Sequence, residues 1–517
     1  MSTDIKSVQL VVGLEVHVEL ATRTKLFTAA PSLAHSLYDS APPNTLIDPT
    51  VLALPGSLPV MNLAAVEMAM MVGLALDCQI ASFTKWDRKS YFYPDLPKGY
   101  QISQYDLPLC FDGKFDLPGL NTDGSVNSET PTRQIGIIRA HLEEDAGKLL
   151  HDAPGGHAID CTIADWNRAG TALLEIVTQP DFRTADEVVH FCRTLRNICR
   201  FLGVTEGIMQ KGHIRFEPNI NTIITFADGS TVKTPIVEIK NLNSFKAVKG
   251  AIEHELAEQP RRYFADRRVM GKGMKRTMGW DDARNVTVPQ RDKEDADEYR
   301  YFPDPDLVPV VIDDAWREAI RTRIPELPPS RMKRYIEECA LGTKEAAALV
   351  EERDTCLFYE RAIDAMVNSG IDRPRAGKLA ANFLLQSGAK RANERGLEIH
   401  EIGITPKQLA AVAKLREEGS LNSNAADELF GALCEALDPA TDAATLAQTR
   451  GLLMVRDDAA WMGWCDQAIA ANPKVADDVR GGKQAAVGRL VGEAMKLSGG
   501  RADAKSLREM LLKQLGQ

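Results

Sequence analysis

The sequence predicts an α+β chain: a cradle domain built on a mixed or antiparallel sheet, then a helical middle domain, then a small helical tail domain. Three observations point there. Residues 1 to about 310 carry short alternating runs punctuated by Gly and Pro, with helical spacers between them. From about Ile324 the texture becomes helical with few strand formers, after a break at Pro325, Pro328 and Pro329. A second break near Gly403–Pro406 precedes another helical block. The expected divisions are 1–310, 311–403 and 404–517, in line with roughly three domains for this length.

The first element is the most telling. Gly13 to Leu20 alternates Leu14, Val16, Val18 and Leu20 with Glu15, His17 and Glu19. That is the period of a half-buried strand, with two carboxylates and an imidazole in one row about 6.5–7 Å apart. Neighbouring carboxylates repel unless a cation stands between them. Further alternating runs follow at Gln134–His141, His213–Thr225 and Val237–Lys240, with helical spacers at Asn62–Leu76 and Ala185–Leu202. Beyond the proline break, Arg331–Cys339, Lys344–Asn368 and Arg373–Leu385 have helical spacing.

Composition excludes several classes. Hydrophobic residues make up 44 %, as in ordinary globular chains, and no run approaches the ~18 apolar residues of a membrane span. The N-terminus lacks a signal-peptide pattern. Nine cysteines stand singly, without a Cys-x-x-Cys pair, which fits a reducing, cytoplasmic setting rather than a disulfide scaffold. A net charge of −10 argues against non-specific nucleic-acid binding, while a local basic patch remains able to bind it.

Chemistry-bearing residues recur along the first 310 residues. Trp86–Asp106 packs aromatics, prolines and polar residues into a loop-like stretch, where Arg88 and Lys89 can meet phosphate and Tyr91, Phe92 and Tyr93 can stack on a base or ribose. His141-Leu-Glu-Glu-Asp145 places three consecutive acids at a strand end, a composition suited to a Mg²⁺–nucleotide site. Glu175 is a single acid within an apolar run, so it needs a partner, and Arg168 is one candidate. Arg215, Glu217, Asn219 and Asn221 share a strand face, with Pro218 marking an edge or a bulge, and Glu238 and Lys240 repeat the theme. One sheet displaying these acids toward a shared hollow is more economical than several unrelated solvated faces. No Walker A loop, kinase Gly-rich loop or Rossmann fingerprint is present, so any ATP chemistry would run on carboxylate-held metal and basic residues.

Eight segments together resemble one family: 13–20, 88–95 (Arg-Lys-Ser-Tyr-Phe-Tyr-Pro-Asp), 100–106, 141–148 (His-Leu-Glu-Glu-Asp-Ala-Gly-Lys), 165–170, 174–177, 238–245 and 298–307. It is the B-subunit family of the aspartyl/glutamyl-tRNA amidotransferase, and the resemblance runs from about residue 10 to the C-terminus. It implies a ligase acting with subunits A and C on misacylated tRNA, Glu-tRNA(Gln) or Asp-tRNA(Asn). ATP and Mg²⁺ serve to phosphorylate the aminoacyl side-chain carboxylate, and ammonia channelled from the glutamine-hydrolysing A-subunit then displaces the phosphate. By the same resemblance Glu15, His17, Glu143 and Glu175 are metal-site residues, and Glu144 is an auxiliary ligand. Glu143, Glu175, Glu217 and Glu238 are acidic active-site residues, and Lys89 with Arg88 serves the nucleotide.

The resemblance has departures. Many relatives read Met-Glu-Glu-Gly-Ser-Leu-Arg-Cys-Asp where this chain has Met-Gln-Lys-Gly-His-Ile-Arg-Phe-Glu at 209–217, so two acids become Gln210 and Lys211, and an aspartate becomes the longer Glu217. Some relatives also carry a cysteine pair where this chain reads Asn44 to Gly56 without one, so no zinc is expected. The block 481–517 resembles the family's tRNA-binding tail. It holds seven Lys/Arg (among them Lys483, Arg489, Lys496 and Arg501) against three acids, the local balance a phosphate-contacting module needs. Gly488 and Gly492 there leave room for an RNA backbone. Two other classes are a stand-alone carboxylate–amine ligase and a non-catalytic tRNA-binding adaptor. The first lacks a legible glutaminase arrangement, and the second leaves the repeated acidic faces unexplained.

Overall fold

The computed structural model describes residues 4–127, 129–153, 156–292, 299–454, 458–500 and 502–516. Two compact units divide at Pro329/Ser330.

The first unit is organised by a long strand, β1 (Ile5–Glu19). After it come β2 (Gln79–Ile80), β3 (Phe83–Thr84), β4 (Asp87–Ser90), β5 (Tyr100–Ser103), β6 (Cys110–Leu117) and β7 (Arg133–Glu144). A hairpin of β8 (Lys148–Ala153) and β9 (His157–Asp165) precedes β10 (Ala172–Thr178). Then follow β11 (Ile214–Phe226), β12 (Thr231–Lys233), β13 (Val237–Lys240), β14 (Arg276–Asp281), β15 (Val286–Asp292), β16 (Phe302–Pro303) and β17 (Val310–Val311). The main sheet runs β15-β14-β13-β11-β1-β10-β7-β6-β2, with β12 beside β11. Only β13 and β14 among these neighbours run parallel, so the expectation of a mixed, mainly antiparallel sheet holds.

The apolar half of the β1 alternation makes the core. Val12, Leu14, Val16 and Val18 are buried with residues of three helices: α1 (Leu63–Ala75), α2 (Ala185–Phe201) and α3 (Phe245–Asp266). The expected helical spacers are α1 and α2. Asn62 caps α1 by accepting from the Ala64 amide, and Thr184 and Glu187 form a capping box on α2. Phe191 of α2 stands edge-to-face with Phe115 and Phe182, at 4.9 and 5.3 Å between ring centroids. With helices covering one face, the polar half of β1 lies on the other.

β11 is a central strand despite Pro218. At Pro218 only β1 runs alongside, opposite Leu14, because β13 joins β11 from Asn219 onward. The missing N–H therefore falls where the ladder has a local edge.

A fully buried Lys25 straps the 165–170 turn. Its ammonium donates to the carbonyls of Ala169 at 2.6 Å and Trp166 at 3.2 Å. Nearby, Thr28 donates to Asp48, and Ala30, Val51 and Ala169 form a small apolar knot with Ile47 and Trp166.

The first unit runs past the expected break at 310. Helix α4 (Asp314–Arg321) adds Ile320 to the main core, and Trp316 donates to Glu67 of α1 at 3.3 Å.

The second unit is helical throughout its described residues, beginning within Pro328–Glu338. Lys344–Asn368, read as one helical stretch, is two helices, Thr343–Leu349 and Arg353–Asn368. Glu360 receives Arg331, Arg334 and Tyr335 in one ionic knot. The last four helices, from Asp458 to Gln514, close on their own core of Cys465, Val479, Leu490, Leu507 and Leu511.

Phe191→Ala removes a fully buried ring from between α2 and the sheet. It is expected to lower the unfolding free energy of the first unit by about 3–5 kcal/mol, read as a shifted midpoint in chemical denaturation followed by far-UV circular dichroism.

Candidate active site

Antiparallel register lines up side chains from four strands across the polar face of the sheet. His17 on β1 pairs with Glu175 on β10 and with Arg215 on β11, and Glu175 pairs in turn with His141 on β7. Directly opposed residues point to the same face, so Arg215, His17, Glu175 and His141 form one transverse row. The flanking row holds Glu217 opposite Glu15. Glu238 of β13 comes in opposite Asn219.

Two groups of donor atoms result: His17, Glu143 and Glu175, and Glu15, Glu217 and Glu238, each with its ligand atoms within 4.8 Å of one another. In the first, His17 Nε2 lies 3.4 Å from Glu175 and 3.9 Å from Glu143. Ser103 Oγ donates to Glu143 at 3.4 Å. In the second, Lys240 reaches Glu217 at 2.7 Å and Glu238 at 3.2 Å, while Lys275 reaches Glu238 at 3.0 Å and Glu15 at 3.5 Å. Asn219 also donates to Glu15 at 3.0 Å. His17 bridges the groups, its Nδ1 being 3.9 Å from Glu217. An open groove of about 720 Å³ lined by Thr231, Lys233, Val269, Met270 and Lys275 adjoins the second group, with Lys275 common to both.

Burial gives these charges weight. Desolvation alone would lower the His17 imidazole, but the hydrogen bond to Glu175 and the charges of Glu217 and Glu175 raise it to about 9. Burial and repulsion from Glu175 push Glu143 up to about 7. Glu175 goes the opposite way: burial would raise it, yet His141, His17 and Lys89 hold it well below the usual carboxylate range. Burial lowers His141 to about 4, and its Nδ1 has no hydrogen-bond partner among the described residues. Lys89 stays firmly protonated, since Glu143 and Glu175 outweigh its desolvation.

The three consecutive acids do not share one cation. Successive strand residues alternate faces, so Glu143 joins the His17 group while Glu144 is spent on Lys98 and on the backbone amide of Ile102, 2.9 Å away. The expectation of Glu144 as an auxiliary ligand is thereby corrected. Asp145, beyond the strand, accepts from Arg215 at 2.6 Å, with Arg168 at 3.6 Å. Against burial, these two guanidiniums bring Asp145 down to about 2, while burial and the Asp145 charge push neighbouring Glu19 up to about 8. Arg168 also donates to the carbonyls of Ala146 and Gly147, so its partner is Asp145 rather than Glu175. Gly147 allows that turn: a Cβ there would stand 2.9 Å from the Asp165 carbonyl oxygen.

Alternation also separates Arg88 from Lys89. Lys89 faces the acids, whereas Arg88 donates to Asp304 and Asp306, both at 2.8 Å, and lies 4.3 Å over the Tyr100 ring. Arg88 is thus paired with two carboxylates on the side away from Lys89. Lys275, missed in the sequence, sits in a stretch with no periodicity, and only its charge hinted at a role. At the changed segment, Lys211 pairs with Asp39 at 2.7 Å, away from the two acidic groups, and Glu217 reaches Lys240.

In the tail, Gly488, Arg489, Gly492 and Lys496 are exposed on helix Val487–Leu497. A Cβ at either glycine would have no neighbour within 4 Å. Lys483 is exposed and bonded to Asp478 at 2.9 Å, Lys496 lies 3.6 Å from Glu493, and Arg501 is outside the described residues.

The donor set of the first group, two carboxylates and one imidazole converging in a buried face, fits a divalent cation. The second group already has two ammoniums among its carboxylates and so has less call for a metal.

Comparison with known proteins identifies the family. The family described as the GatB/GatE catalytic domain matches residues 10–318, and the one described as the GatB domain matches 361–515. The chain is 40 % identical over 509 residues to the aspartyl/glutamyl-tRNA(Asn/Gln) amidotransferase B-subunit of Rhodopirellula baltica, covering 98 % of this chain and 96 % of that one. It is 41 % identical over 509 residues to the protein of that name from Thermomicrobium roseum, covering 98 % and 99 %. The corresponding protein of Synechococcus elongatus is 39 % identical over 508 residues, covering 98 % and 97 %.

His17 and Glu143 must both shed a proton before a cation can use them, because His17 titrates near 9 and Glu143 near 7. Affinity for Mg²⁺ or Mn²⁺ is therefore expected to rise with pH between about 6.5 and 9, with protons released on binding. Isothermal titration calorimetry in buffers of different ionisation enthalpy measures both, and a flat pH profile would contradict the assignment.

Proposed function

The chain belongs to the B-subunit family of the aspartyl/glutamyl-tRNA(Asn/Gln) amidotransferase, and from that premise we propose that it carries out the activation and amidation of a tRNA-borne side chain. The substrate is Glu-tRNA(Gln), Asp-tRNA(Asn) or both. A free carboxylate is a poor electrophile, so its oxygen attacks the γ-phosphorus of ATP, ADP leaves, and an acyl phosphate forms on the aminoacyl group. Ammonia then attacks the acyl carbon, phosphate leaves, and an amide remains. The chain works in the cytoplasm as a ligase in a heterotrimer with subunits A and C, the first of which supplies the ammonia from glutamine.

The observation that supports this reading is the juxtaposition of two chemically different acidic groups on one buried sheet face. His17, Glu143 and Glu175, with Glu15 from the neighbouring group, would hold Mg²⁺, which would supply charge neutralisation for phosphate oxygens there. Lys89 faces the same group and meets the transferred phosphoryl oxygens as a point charge. Glu217 and Glu238, paired with Lys240 and Lys275, take the proton that ammonia gives up as the amide forms. The tail, with Lys483, Arg489 and Lys496 exposed, contacts the RNA backbone. A tRNA adaptor without catalysis would use the tail alone and leave the cost of burying so many acids without a return.

The test is transamidation by the complex reconstituted with subunits A and C on both misacylated tRNAs. Glu143→Gln is expected to lower ATP-dependent side-chain phosphorylation by more than about a hundredfold while tRNA binding is kept. Truncation from residue 404 is expected to weaken tRNA binding first. Unchanged turnover in Glu143→Gln would overturn the proposed role of this face.

A further inference from the structure

Beside the acidic face runs a chain of five tyrosines, half of the ten in the sequence. Its members come from two distant segments. Tyr93 meets Tyr91 at 6.2 Å between ring centroids, Tyr91 meets Tyr299 at 6.0 Å, Tyr299 meets Tyr301 at 6.2 Å, and Tyr301 stacks on Tyr105 at 4.1 Å with planes 11° apart. The first three contacts are edge-to-face and the last is a parallel stack. Both ends are open to solvent, Tyr93 being 49 % and Tyr105 51 % exposed, and Phe92 beside them is 79 % exposed. The middle touches the chemistry: the Lys89 ammonium lies 5.0 Å from the Tyr299 centroid and 5.9 Å from that of Tyr91, and it is held by the charges of Glu143 and Glu175.

We propose that this tyrosine array is the stacking platform for the unpaired 3′-terminal nucleotides of the aminoacyl-tRNA, delivering the esterified amino acid to the His17–Glu143–Glu175 group. The inference rests on the function proposed above and gives that site its substrate-binding residues. Three features favour a run of single-stranded bases. Every base has a π face, and rings exposed at both ends of the array and half-buried between them bind bases without reading sequence, as a platform serving two different tRNAs requires. One adenine, such as that of ATP, covers one or two rings, whereas the array continues past Lys89 on both sides. Two of the cations around it are already matched, Lys85 by Asp87 and Asp106 and Arg88 by Asp304 and Asp306, which leaves less of their charge for the backbone of a duplex.

The experiment compares binding of an intact tRNA(Gln) transcript with that of the same transcript lacking its unpaired 3′ nucleotides, using the full-length chain in its complex with subunits A and C. Trimming is expected to weaken wild-type binding about tenfold or more, the size of one well-stacked base. Tyr93→Ala and Tyr105→Ala are each expected to weaken binding of the intact RNA by about the same factor. Both should leave the trimmed RNA and the KM for ATP unchanged, while Tyr105→Phe behaves as wild type. Equal weakening of intact and trimmed RNA, a rise in the KM for ATP with intact-RNA binding retained, or a Tyr105→Phe variant as impaired as Tyr105→Ala would each overturn the platform. Binding is read without turnover, so the two readings separate. A complex that shows this trimming dependence but amidates neither tRNA supports the platform and overturns the proposed function.

Discussion

The register of β1 against its two neighbours is the constraint on which the site depends. His17 opposes Glu175 on one side and Arg215 on the other, and side chains on a strand alternate with period two. A slip of one residue would send His17, Glu15 and Glu19 into the apolar core and bring Leu14, Val16 and Val18 out to the polar face. The burial of Val12, Leu14, Val16 and Val18 against three helices is thus what holds the imidazole between carboxylates. Packing on one face sets the electrostatics of the other. A largely buried imidazolium survives there because Glu175 lies beside it, and Glu175 stays ionised because the imidazolium is there.

Much of this was legible because alternation is a strong signal. The runs at Gly13–Leu20, His213–Thr225 and Val237–Lys240 fall in β1, β11 and β13 to within a residue. Reading the acids as faces of one sheet puts Glu15, His17, Glu143 and Glu175 around one hollow; the structure gathers His17, Glu143 and Glu175 in one donor group and places Glu15 in the other, with Glu217 and Glu238. Where consecutive residues are pooled in the sequence, the structure gives them different partners. Arg88 with Lys89, and Glu143 with Glu144, are neighbours in sequence and opposites in space, because a strand sends adjacent side chains to different faces. The strand read as ending at His141 runs on through Glu144, where acids are poor strand formers and only the pairing with β10 keeps it extended. Lys275 and the tyrosines at 299 and 301 were out of reach for another reason. They come from segments with no period at all, and only tertiary packing brings them to the acids.

Charge is distributed with more discrimination than composition implies. Glu144, Asp145 and Glu143 each find a separate counter-charge: an ammonium, a pair of guanidiniums and an imidazolium. The Glu15–Glu217–Glu238 group is laced by two lysines. Carboxylates that would repel as a cluster are thereby divided into one group bound by protein cations and one still able to accept a foreign ion. That division makes a single anionic surface capable of two tasks.

β1 begins at Ile5, yet the strands that flank it end at Thr178 and Phe226. During synthesis the centre of the sheet thus waits for its first partner until the ribosome has passed Thr178, and for its second until Phe226. Through that interval a fifteen-residue strand with a row of aliphatic side chains has no mate, the condition in which nascent chains aggregate or recruit chaperones. The arrangement that makes the finished site so well specified also makes its assembly late, and slow elongation before Phe226 lengthens the exposure.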